Sequence, residues 1–427
     1  MGLRSVPNRS RSVLIVGGGT FGISAAYHLA ERGYHDITVL DRCIQPSPES
    51  AGNDINKIVR SDYSDALYTQ LAEEAMAVWK DDSGIFHDFF HATGWLIAAA
   101  NISIPFLEKS LANAEALGVS AGYISEEDVR ARWPALSGSF ENWRILWNPS
   151  AGWVDAVDAQ MAMVSACRRN GVRFISGEAG HVERLLFDEG SSQCLGALST
   201  DGSVHEAAII ILAAGAAAAE VLDMEGQLVA KGHSVGFLQL TPEEAEKYKN
   251  IPVFDNLEQG LCFPPNKDGI MKLATVEWFT NSRNSKIPGV SLPRYRSDHQ
   301  EDEEGCDIPE AYAAKIRMFL NSLLPELADR PWSQTKICWD AETADLDFLI
   351  APHPTHKNLK LAVGGSAHGF KFLPTIGGFI ADMIEDGLRD DLAKRWRWRP
   401  GVVTEDKGPK PHPFEPEDLS QSLPTGV

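Results

Sequence analysis

The stretch from residue 12 to residue 41 constrains the fold more than any other part of the chain. It begins with SVLIV, a continuous apolar run typical of a strand buried on both faces. The following GISAAYHLAERG has the apolar spacing of a helix that stops at Gly33, and ITVLD predicts a second strand that ends in an acid. The sequence therefore predicts a βαβ unit and an α/β fold.

A glycine motif lies between the first strand and the helix. GGGTFG places Gly17, Gly19 and Gly22 in the spacing G-x-G-x-x-G, which allows a tight turn and lets a pyrophosphate approach the helix N-terminus. Asp41, at the end of the second strand, is placed to accept hydrogen bonds from ribose hydroxyls. Strand, glycines, helix and acid together predict an adenine dinucleotide; a purely structural glycine turn is the alternative.

The motif fits FAD as well as NAD, and later segments favour FAD. GVRFISG and IIILAAGA predict further strands of the same domain, and a long chain that returns repeatedly to its nucleotide domain is typical of proteins that wrap an extended FAD. We expect contacts to the cofactor from Arg42, Val172 and Gly215, which lie in or beside these strands.

The acidic composition limits the classes of partner. The chain has 59 acidic and 39 basic residues, a formal net charge of -20, which argues against nucleic acid or an anionic membrane surface as a partner. Its six cysteines form no CxxC pair, so neither a metal site nor a disulfide framework is expected. The partners expected are a small-molecule substrate and oxygen.

The same sequence predicts where the protein works. No stretch has the length and apolarity of a membrane span. The basic N-terminus runs into the glycine loop rather than a cleavage site, and the final PTGV is not the common peroxisomal signal. We expect a cytoplasmic protein that acts as a monomer.

Changes of pattern along the chain predict two domains that the chain visits alternately. Parallel-sheet patterns suggest a doubly wound, Rossmann-type FAD-binding domain, and short strands with turn signals suggest a smaller, mainly antiparallel substrate domain. The predicted segments are 1–90, 150–235 and 335–400 for the FAD domain and 91–149 and 236–334 for the substrate domain. Residues 401–427, with five prolines, predict an extended tail without a core of its own.

Several longer motifs resemble one known family. At SAGNDINKIVRSDY, KICWDAETADLDFLI, GGSAHGFKFLPTIG and WRWRP the sequence resembles the flavin amine oxidases of the sarcosine oxidase group. It is most similar to the fungal amadoriases, or fructosyl amino acid oxidases, and their saccharopine-oxidase-like relatives. The resemblance runs from about residue 12 to residue 400.

The resemblance implies a covalent cofactor. In this family the cysteine of the CW segment carries FAD through a thioether at the 8α position, and here that residue is Cys338. A buried filler cysteine is the alternative. The loop Gly365 to Phe372, with Phe370, resembles the one under the pyrimidine end of the flavin, where the following helix would favour negative charge.

Two lysines are candidate catalytic residues. Lys272 lies in a predicted hairpin strand, and the alternation of side chains along a strand places it on the same face as apolar residues such as Trp278. The resemblance implies that Lys272 stands over flavin N5 and supplies positive charge for oxygen reduction, and that Lys57 meets the flavin edge. An exposed lysine on an edge strand is the alternative for Lys272.

Further basic residues are candidates for the substrate. By resemblance, Arg60 matches the arginine that binds a substrate carboxylate, a task that its planar fork suits, and Lys371 supplies a second contact. The alternative for Arg60 is an ion pair with Asp62 or Asp65.

The sequence also departs from the amadoriase pattern. The acid expected four residues after the flavin lysine is Val276 here, and Glu277 follows it; the tryptophan expected after the LAAGA strand is Ala217. Glu277 and the arginines of WRWRP, Arg397 and Arg399, remain candidates for substrate binding. These changes favour a carboxylate-bearing secondary amine without a sugar.

The resulting prediction is an FAD-dependent oxidase. It would oxidise the carbon–nitrogen bond of an N-substituted amino acid to an imine and reduce oxygen to hydrogen peroxide. Three alternatives stay open: a true fructosyl amino acid oxidase, a dehydrogenase that uses another electron acceptor on the same scaffold, and a flavin-binding module without enzymatic activity.

Overall fold

The computed structural model describes residues 8–283, 285–295, 308–401, 411–412 and 414–421. Its helices are α1 (Thr20–Glu31), α2 (Ala66–Trp79), α3 (Ile104–Ala116), α4 (Glu126–Arg132), α5 (Ala156–Arg169), α6 (Ala218–Val221), α7 (Pro242–Tyr248), α8 (Glu310–Leu323), α9 (Ile376–Ile384) and α10 (Asp390–Arg395). Its strands are β1 (Val13–Val16), β2 (Ile37–Leu40), β3 (Lys57–Val59), β4 (Phe90–His91), β5 (Trp95–Ala99), β6 (Gly122–Ile124), β7 (Arg144–Asn148), β8 (Gly152–Val154), β9 (Arg173–Ile175), β10 (Val182–Phe187), β11 (Cys194–Ser199), β12 (Val204–Glu206), β13 (Ile209–Leu212), β14 (Leu228–Gln239), β15 (Val253–Asn256), β16 (Gly260–Cys262), β17 (Ile270–Thr280), β18 (Gln334–Thr343), β19 (Leu349–Pro352), β20 (Leu359–Val363) and β21 (Glu417–Asp418).

The predicted βαβ unit is the centre of a six-stranded sheet. The strand order is β19-β20-β13-β1-β2-β9, parallel except at the edge strand β19. Val13 and Ile15 point to a core shared with α1, α5 and α9, while Leu14 and Val16 point to the core on the other face. Burial on both faces explains why β1 is apolar throughout, and the predicted α/β fold class is confirmed.

A second, larger sheet carries the antiparallel part of the fold. Its order is β18-β14-β17-β16-β15-β5-β7-β6, antiparallel except where β15 meets β5, and β21 adds to β17 in parallel. On one face, Met271 and Leu273 pack with Ile316 and Phe319 of α8. On the opposite face, Cys338 packs with Ala51 and so turns toward the nucleotide sheet.

The large sheet takes more of the chain than the predicted segments gave it. The predicted boundary after residue 235 falls inside β14, and β18 lies almost entirely within the segment 335–400 that was predicted for the FAD domain. These two strands pair over ten residues, from Leu228 with Thr343 to Phe237 with Gln334. Apolar strand patterns do not reveal which sheet a strand joins, and here a long antiparallel pairing decided it.

Part of the predicted tail packs on the large sheet. Residues 402–410, 413 and 422–427 lie outside the described residues. In the described remainder, β21 pairs with Phe279 and Thr280 of β17, and a 3-10 turn (Leu419–Gln421) follows, in which Leu419 is 1% exposed. Its anchors are therefore contacts with the rest of the molecule.

Two searches of the described residues gave negative results. No helix there combines the length and apolarity needed to cross a bilayer. Nor do any three His, Cys, Asp or Glu side chains in that part of the chain form a group that could hold a metal ion.

Candidate active site

The glycine motif forms the floor of a long cleft beside the nucleotide sheet. Gly17 has a φ of +105°, and a Cβ there would lie 2.5 Å from the carbonyl oxygen of Ala213. A Cβ on Gly22 would lie 1.9 Å from the carbonyl oxygen of Gly17, so only glycine lets α1 pack this closely on the turn. Gly17 and Gly19 line the cleft.

The end of β2 holds an acid beside the same cleft. The carboxylate of Asp41 accepts hydrogen bonds from the backbone amides of Gly18 at 2.7 Å and Cys43 at 2.9 Å. Burial raises its pKa, and these two amides oppose that effect. The neighbouring Arg42 forms an ion pair with Glu49 at 3.0 Å and lies over the ring of Tyr295 at 4.6 Å.

One predicted cofactor contact lies elsewhere. Val172 is 6% exposed and belongs to the apolar core shared with α1, because it precedes β9 and faces the helices rather than the cleft. The cleft is lined instead by Gly180, His181 and Val182, which follow β9. Gly215, by contrast, lines the cleft directly after β13.

The loop after β20 closes the inner part of the cleft. Gly365 and Phe370 line it, as predicted from the sequence. Ser366 and Ala367 have φ values of +48° and +58°, conformations that non-glycine residues rarely adopt and that cluster at functional sites.

Cys338 lies at this inner end, on β18. It is 7% exposed, and its Sγ is 4.0 Å from Nζ of Lys57 and 3.8 Å from the carbonyl oxygen of Ala51. Burial raises the pKa of the thiol, and the Lys57 charge opposes that change. Both Lys57 and Ala51 line the cleft, so a group in the cleft can approach the sulfur.

Three lysines converge on one buried carboxylate, Asp54. Lys272 Nζ lies 2.8 Å from Asp54, Lys57 Nζ lies 3.4 Å from it and Lys336 Nζ lies 3.8 Å from it. Although burial by itself raises the pKa of Asp54, the three ammonium groups hold it well below its usual range. The cluster therefore places more positive than negative charge beside Cys338.

Lys272 is the most enclosed member of this lysine cluster. It is 3% exposed, and its Nζ also donates to the carbonyl oxygen of Asn56 at 2.7 Å. Burial lowers the pKa of Lys272 to about 8, with the Asp54 charge opposing the change. The alternative of an exposed edge-strand lysine is wrong for this residue.

A second basic cluster surrounds Arg60. Its guanidinium lies over the rings of Trp95 at 4.5 Å and Tyr63 at 4.8 Å and donates to the carbonyl oxygen of Asp62. Lys371, 5% exposed, donates to the hydroxyl of Tyr63 at 2.9 Å. Burial, followed by the Arg60 charge, lowers the pKa of Lys371 well below its usual range.

This cluster holds a carboxyl group that the sequence did not single out. Asp255 on β15 is buried, and its Oδ1 has no hydrogen-bond partner among the described residues. Burial raises the pKa of Asp255 to about 7, and the Arg60 charge opposes this. The predicted alternative of a surface ion pair does not describe Arg60, because the side chain stacks between two aromatic rings.

The other predicted substrate residues have partners outside these clusters. Glu277 pairs with Lys315 of α8, because strand alternation turns it to the face opposite Lys272. Arg399 donates to Asp345, and Arg397, on the surface, donates to the carbonyl oxygen of Lys394.

Sequence reasoning missed Asp54, Lys336, Tyr63 and Asp255. Asp54 and Tyr63 lie inside the motif that carried the resemblance, SAGNDINKIVRSDY, which was a usable signal. Lys336 lies two residues before Cys338 on the same strand, and alternation places both on one face. Asp255 gave no signal, since nothing in its segment marks it as buried.

Comparison with known proteins shows the family to which the chain is similar. The family model for FAD dependent oxidoreductases (DAO) matches residues 12–383. The L-saccharopine oxidase of Schizosaccharomyces pombe is 33% identical, covering 91% of this chain and 93% of its own length. The monomeric sarcosine oxidase of Bacillus sp. is 23% identical, and the match covers 88% of this chain and 92% of that protein.

Solved structures give the same result. Fructosyl amine:oxygen oxidoreductase (Amadoriase I) of Aspergillus fumigatus is 35% identical, with a TM-score of 0.83 over 93% of this chain and 91% of that one. The modified fructosyl peptide oxidase of Aspergillus nidulans is 32% identical, with a TM-score of 0.89 over 98% of this chain and 100% of that one.

Proposed function

We propose, since the chain belongs to the family of FAD-dependent oxidoreductases, that it is an oxidase of amino acids whose nitrogen is a secondary amine. The reaction removes two electrons and two protons from the CH–NH unit and leaves an imine, which water hydrolyses. Oxygen takes up the two electrons and two protons and becomes hydrogen peroxide. Relatives named for saccharopine and sarcosine, both secondary-amine amino acids, support this proposal.

The residues of the cleft fit FAD. Gly17 and Gly22 leave no room for a Cβ, Asp41 ends β2, and the cleft continues from this nucleotide end to Lys57 beside Cys338. When bound, FAD supplies the two-electron acceptor for the reaction. The protein's part is to bind the substrate, exclude water and place positive charge at the inner end of the cleft.

One observation carries the choice of substrate class: the half-buried Arg60 and the buried Lys371 form a basic cluster around Tyr63. A substrate carboxylate would receive charge-assisted hydrogen bonds there and would leave the adjoining C–N bond near the inner end of the cleft. Two aromatic rings hold the guanidinium in place, so that little side-chain freedom is lost on binding.

Removal of the arginine tests this role. Arg60→Met should raise KM for an N-methyl amino acid on the order of 100-fold, because a buried hydrogen bond to a charged group is lost. The matched control is Arg397→Met, whose guanidinium contacts only a backbone carbonyl on the surface. Steady-state peroxide assays measure both; equal KM values for the two variants would refute the role of Arg60.

We also propose that Cys338 carries FAD covalently. Forming the S–C bond removes one proton from the thiol and one from the 8α-methyl group; the two electrons pass through the flavin to oxygen, which leaves as hydrogen peroxide. Lys57, at 4.0 Å from the sulfur, favours the thiolate that must attack.

Acid precipitation tests the covalent bond. The yellow colour should stay with the wild-type protein and should be released from Cys338→Ala. Cys262→Ala, another buried cysteine with raised pKa, is the control and should keep the colour. Release of colour from the wild type would refute covalent attachment and leave FAD binding itself untouched.

A true fructosyl amino acid oxidase is the second candidate. The similarity to structures of fructosyl amine and fructosyl peptide oxidases favours it. The pairing of Glu277 with Lys315 speaks against it, because this acid then faces α8 rather than the cleft. Fructosyl amino acids and N-methyl amino acids compared side by side for peroxide release decide between the two.

The electron acceptor and the oligomeric state need tests of their own. We expect oxygen as acceptor, so a sample bleached by substrate without air should regain its colour quickly when air enters. Slow recovery would instead indicate a dehydrogenase. We expect a monomer, and analytical ultracentrifugation measures this.

A further inference from the structure

A third group of side chains lies beside the predicted flavin anchor. In the register of the large sheet, His233 of β14 stands opposite both Cys338 of β18 and Trp278 of β17. The rings of His233 and Trp278 are 5.8 Å apart, and the ring of His412 lies 6.4 Å from that of Trp278. We call His233, Trp278 and His412 the two-histidine cluster.

His412 reaches this cluster from a segment of chain far away in sequence. Ser103 donates to the carbonyl oxygen of Pro411 at 3.0 Å on one side. On the other side, β21 pairs with β17, and Leu419 is buried with Phe279 and Trp339. The described chain is thus anchored at Pro411 and again at β21, and the ring of His412 lies 6.4 Å from that of Trp278.

The hydrogen bond from Nδ1 of His412 defines what its other ring nitrogen, Nε2, can do. Nδ1 lies 3.0 Å from the carbonyl oxygen of Leu257, which can only accept, so Nδ1 carries the proton. In a neutral imidazole Nε2 is then an acceptor. His233 adds a second free nitrogen, since its buried Nε2 has no hydrogen-bond partner among the described residues.

Both imidazoles are neutral near pH 7. Burial and then the charge of Lys231 lower the pKa of His233 to about 3. Burial also lowers the pKa of His412 to about 4. The hydrogen bond to the Leu257 carbonyl opposes this change, and the electrostatic influence of His233 and Arg60 adds to it. His233 stands opposite Cys338 in the sheet register, so the two-histidine cluster lies beside the inner end of the cleft.

We propose that the two-histidine cluster binds the part of the substrate remote from its carboxylate, and that His412 selects an uncharged hydroxyl group there. A hydroxyl can donate to Nε2 of His412, and its oxygen can accept from a second donor. A carboxylate, by contrast, has no proton to give to Nε2. This inference rests on the proposed function, because it assumes that Arg60 fixes the other end of the substrate.

Binding of thioether analogues tests the inference separately from turnover. In these ligands sulfur replaces the amine: (3-hydroxypropylthio)acetate carries the hydroxyl, (propylthio)acetate lacks it, and 3-(carboxymethylthio)propanoate has a carboxylate instead. Calorimetry on the flavin-loaded protein should show the hydroxyl ligand binding about tenfold tighter than the propyl ligand, equal to ~1.4 kcal/mol.

The variants separate acceptor chemistry from packing. His412→Leu should reduce the tenfold preference to about one, whereas His412→Gln, which keeps an acceptor oxygen, should retain most of it. His205→Leu is the control, because His205 lies in the separate β10-β11-β12 sheet. Thermal midpoints of all variants show whether the segment still packs.

Three results would overturn the inference: no hydroxyl preference in the wild type, a preference that survives in His412→Leu, or tightest binding of the dicarboxylate. Failure of the proposed function gives a different result. The amines N-(3-hydroxypropyl)glycine and N-propylglycine would then release no peroxide, regardless of how tightly the thioether ligands bind. Binding that depends on His412 without peroxide would leave the inference standing.

Discussion

Lys272 is the residue at which electrostatics and chemistry meet most directly. Below pH 8 it carries a proton and adds positive charge at the inner end of the cleft; above its pKa of about 8 this charge is lost. We therefore expect the rate constant for reaction of the reduced protein with oxygen to fall as the pH rises through about 8. Stopped-flow mixing of the anaerobically reduced protein with aerated buffer measures this rate.

A pair of variants shows whether position or mere charge matters. Lys272→Met should slow the reaction with oxygen on the order of 100-fold and remove its pH dependence, because preorganised charge contributes about this much to catalysis. Lys336→Met removes a charge from the same Asp54 cluster on another strand and should slow the reaction far less. Equal losses would mean that only total charge matters.

At the residue scale, the sequence indicated some roles and missed others for a physical reason. Cys338 lies in a motif that carried the resemblance and Lys272 lies in a strand that the sequence predicted, and both side chains are buried. Asp54 acquires its environment only when β17 and β18, more than 200 residues later, bring Lys272 and Lys336 to it. Such convergence has no signature within its own segment.

At the scale of elements, the turn between β1 and α1 depends on the absence of side chains. Gly22→Ala would place a Cβ 1.9 Å from the backbone of Gly17, which cannot move away as a flexible side chain would. We expect a lower thermal midpoint and loss of FAD. Gly122→Ala, where a Cβ has open space, is the control; similar behaviour of the two variants in thermal melts and absorbance spectra would contradict this account.

The elements also show what period and pattern can predict. The βαβ unit was predictable because buried parallel strands are apolar throughout and the helix shows its own period. The shared face of Lys272 and Trp278 was predictable from strand alternation. The position of Glu277 was not, because its pairing with α8 depends on how that helix packs across the sheet.

At the scale of the whole molecule, the cleft joins the two sheets, because Gly17 and Asp41 line it from one sheet and Trp339 from the other. FAD should therefore stabilise the complete fold by mass action. In Cys338→Ala the thermal midpoint should rise with added FAD, whereas the wild type should not respond if, as we propose, Cys338 holds the cofactor covalently. Calorimetric scans at several FAD concentrations measure this; a wild type that responds like the variant would contradict it.

The change between parallel and antiparallel strand patterns was predictable from the sequence, while the strands that belong to each of the two largest sheets were not. Segments with parallel-strand patterns alternate along the sequence with segments of short strands and turns, and this alternation indicated that the chain contributes repeatedly to both kinds of sheet. Membership of β14 and β18 depended on their ten-residue pairing, a contact between segments about 100 residues apart. The docked strand β21 was equally hidden, since two residues with a polar, proline-rich surrounding carry no strand pattern.

The parallel sheet also has a consequence for synthesis of the protein. Its central strand β1 leaves the ribosome before the other strands of this sheet; β13 follows about 200 residues later and β20, which pairs with β13, follows about 350 residues after β1. Until then the apolar strands have no permanent neighbours on one side, and such long-range pairing folds slowly and exposes edges to aggregation. The nascent chain should therefore depend on chaperones during translation, and peroxide production cannot begin before the last strands are in place.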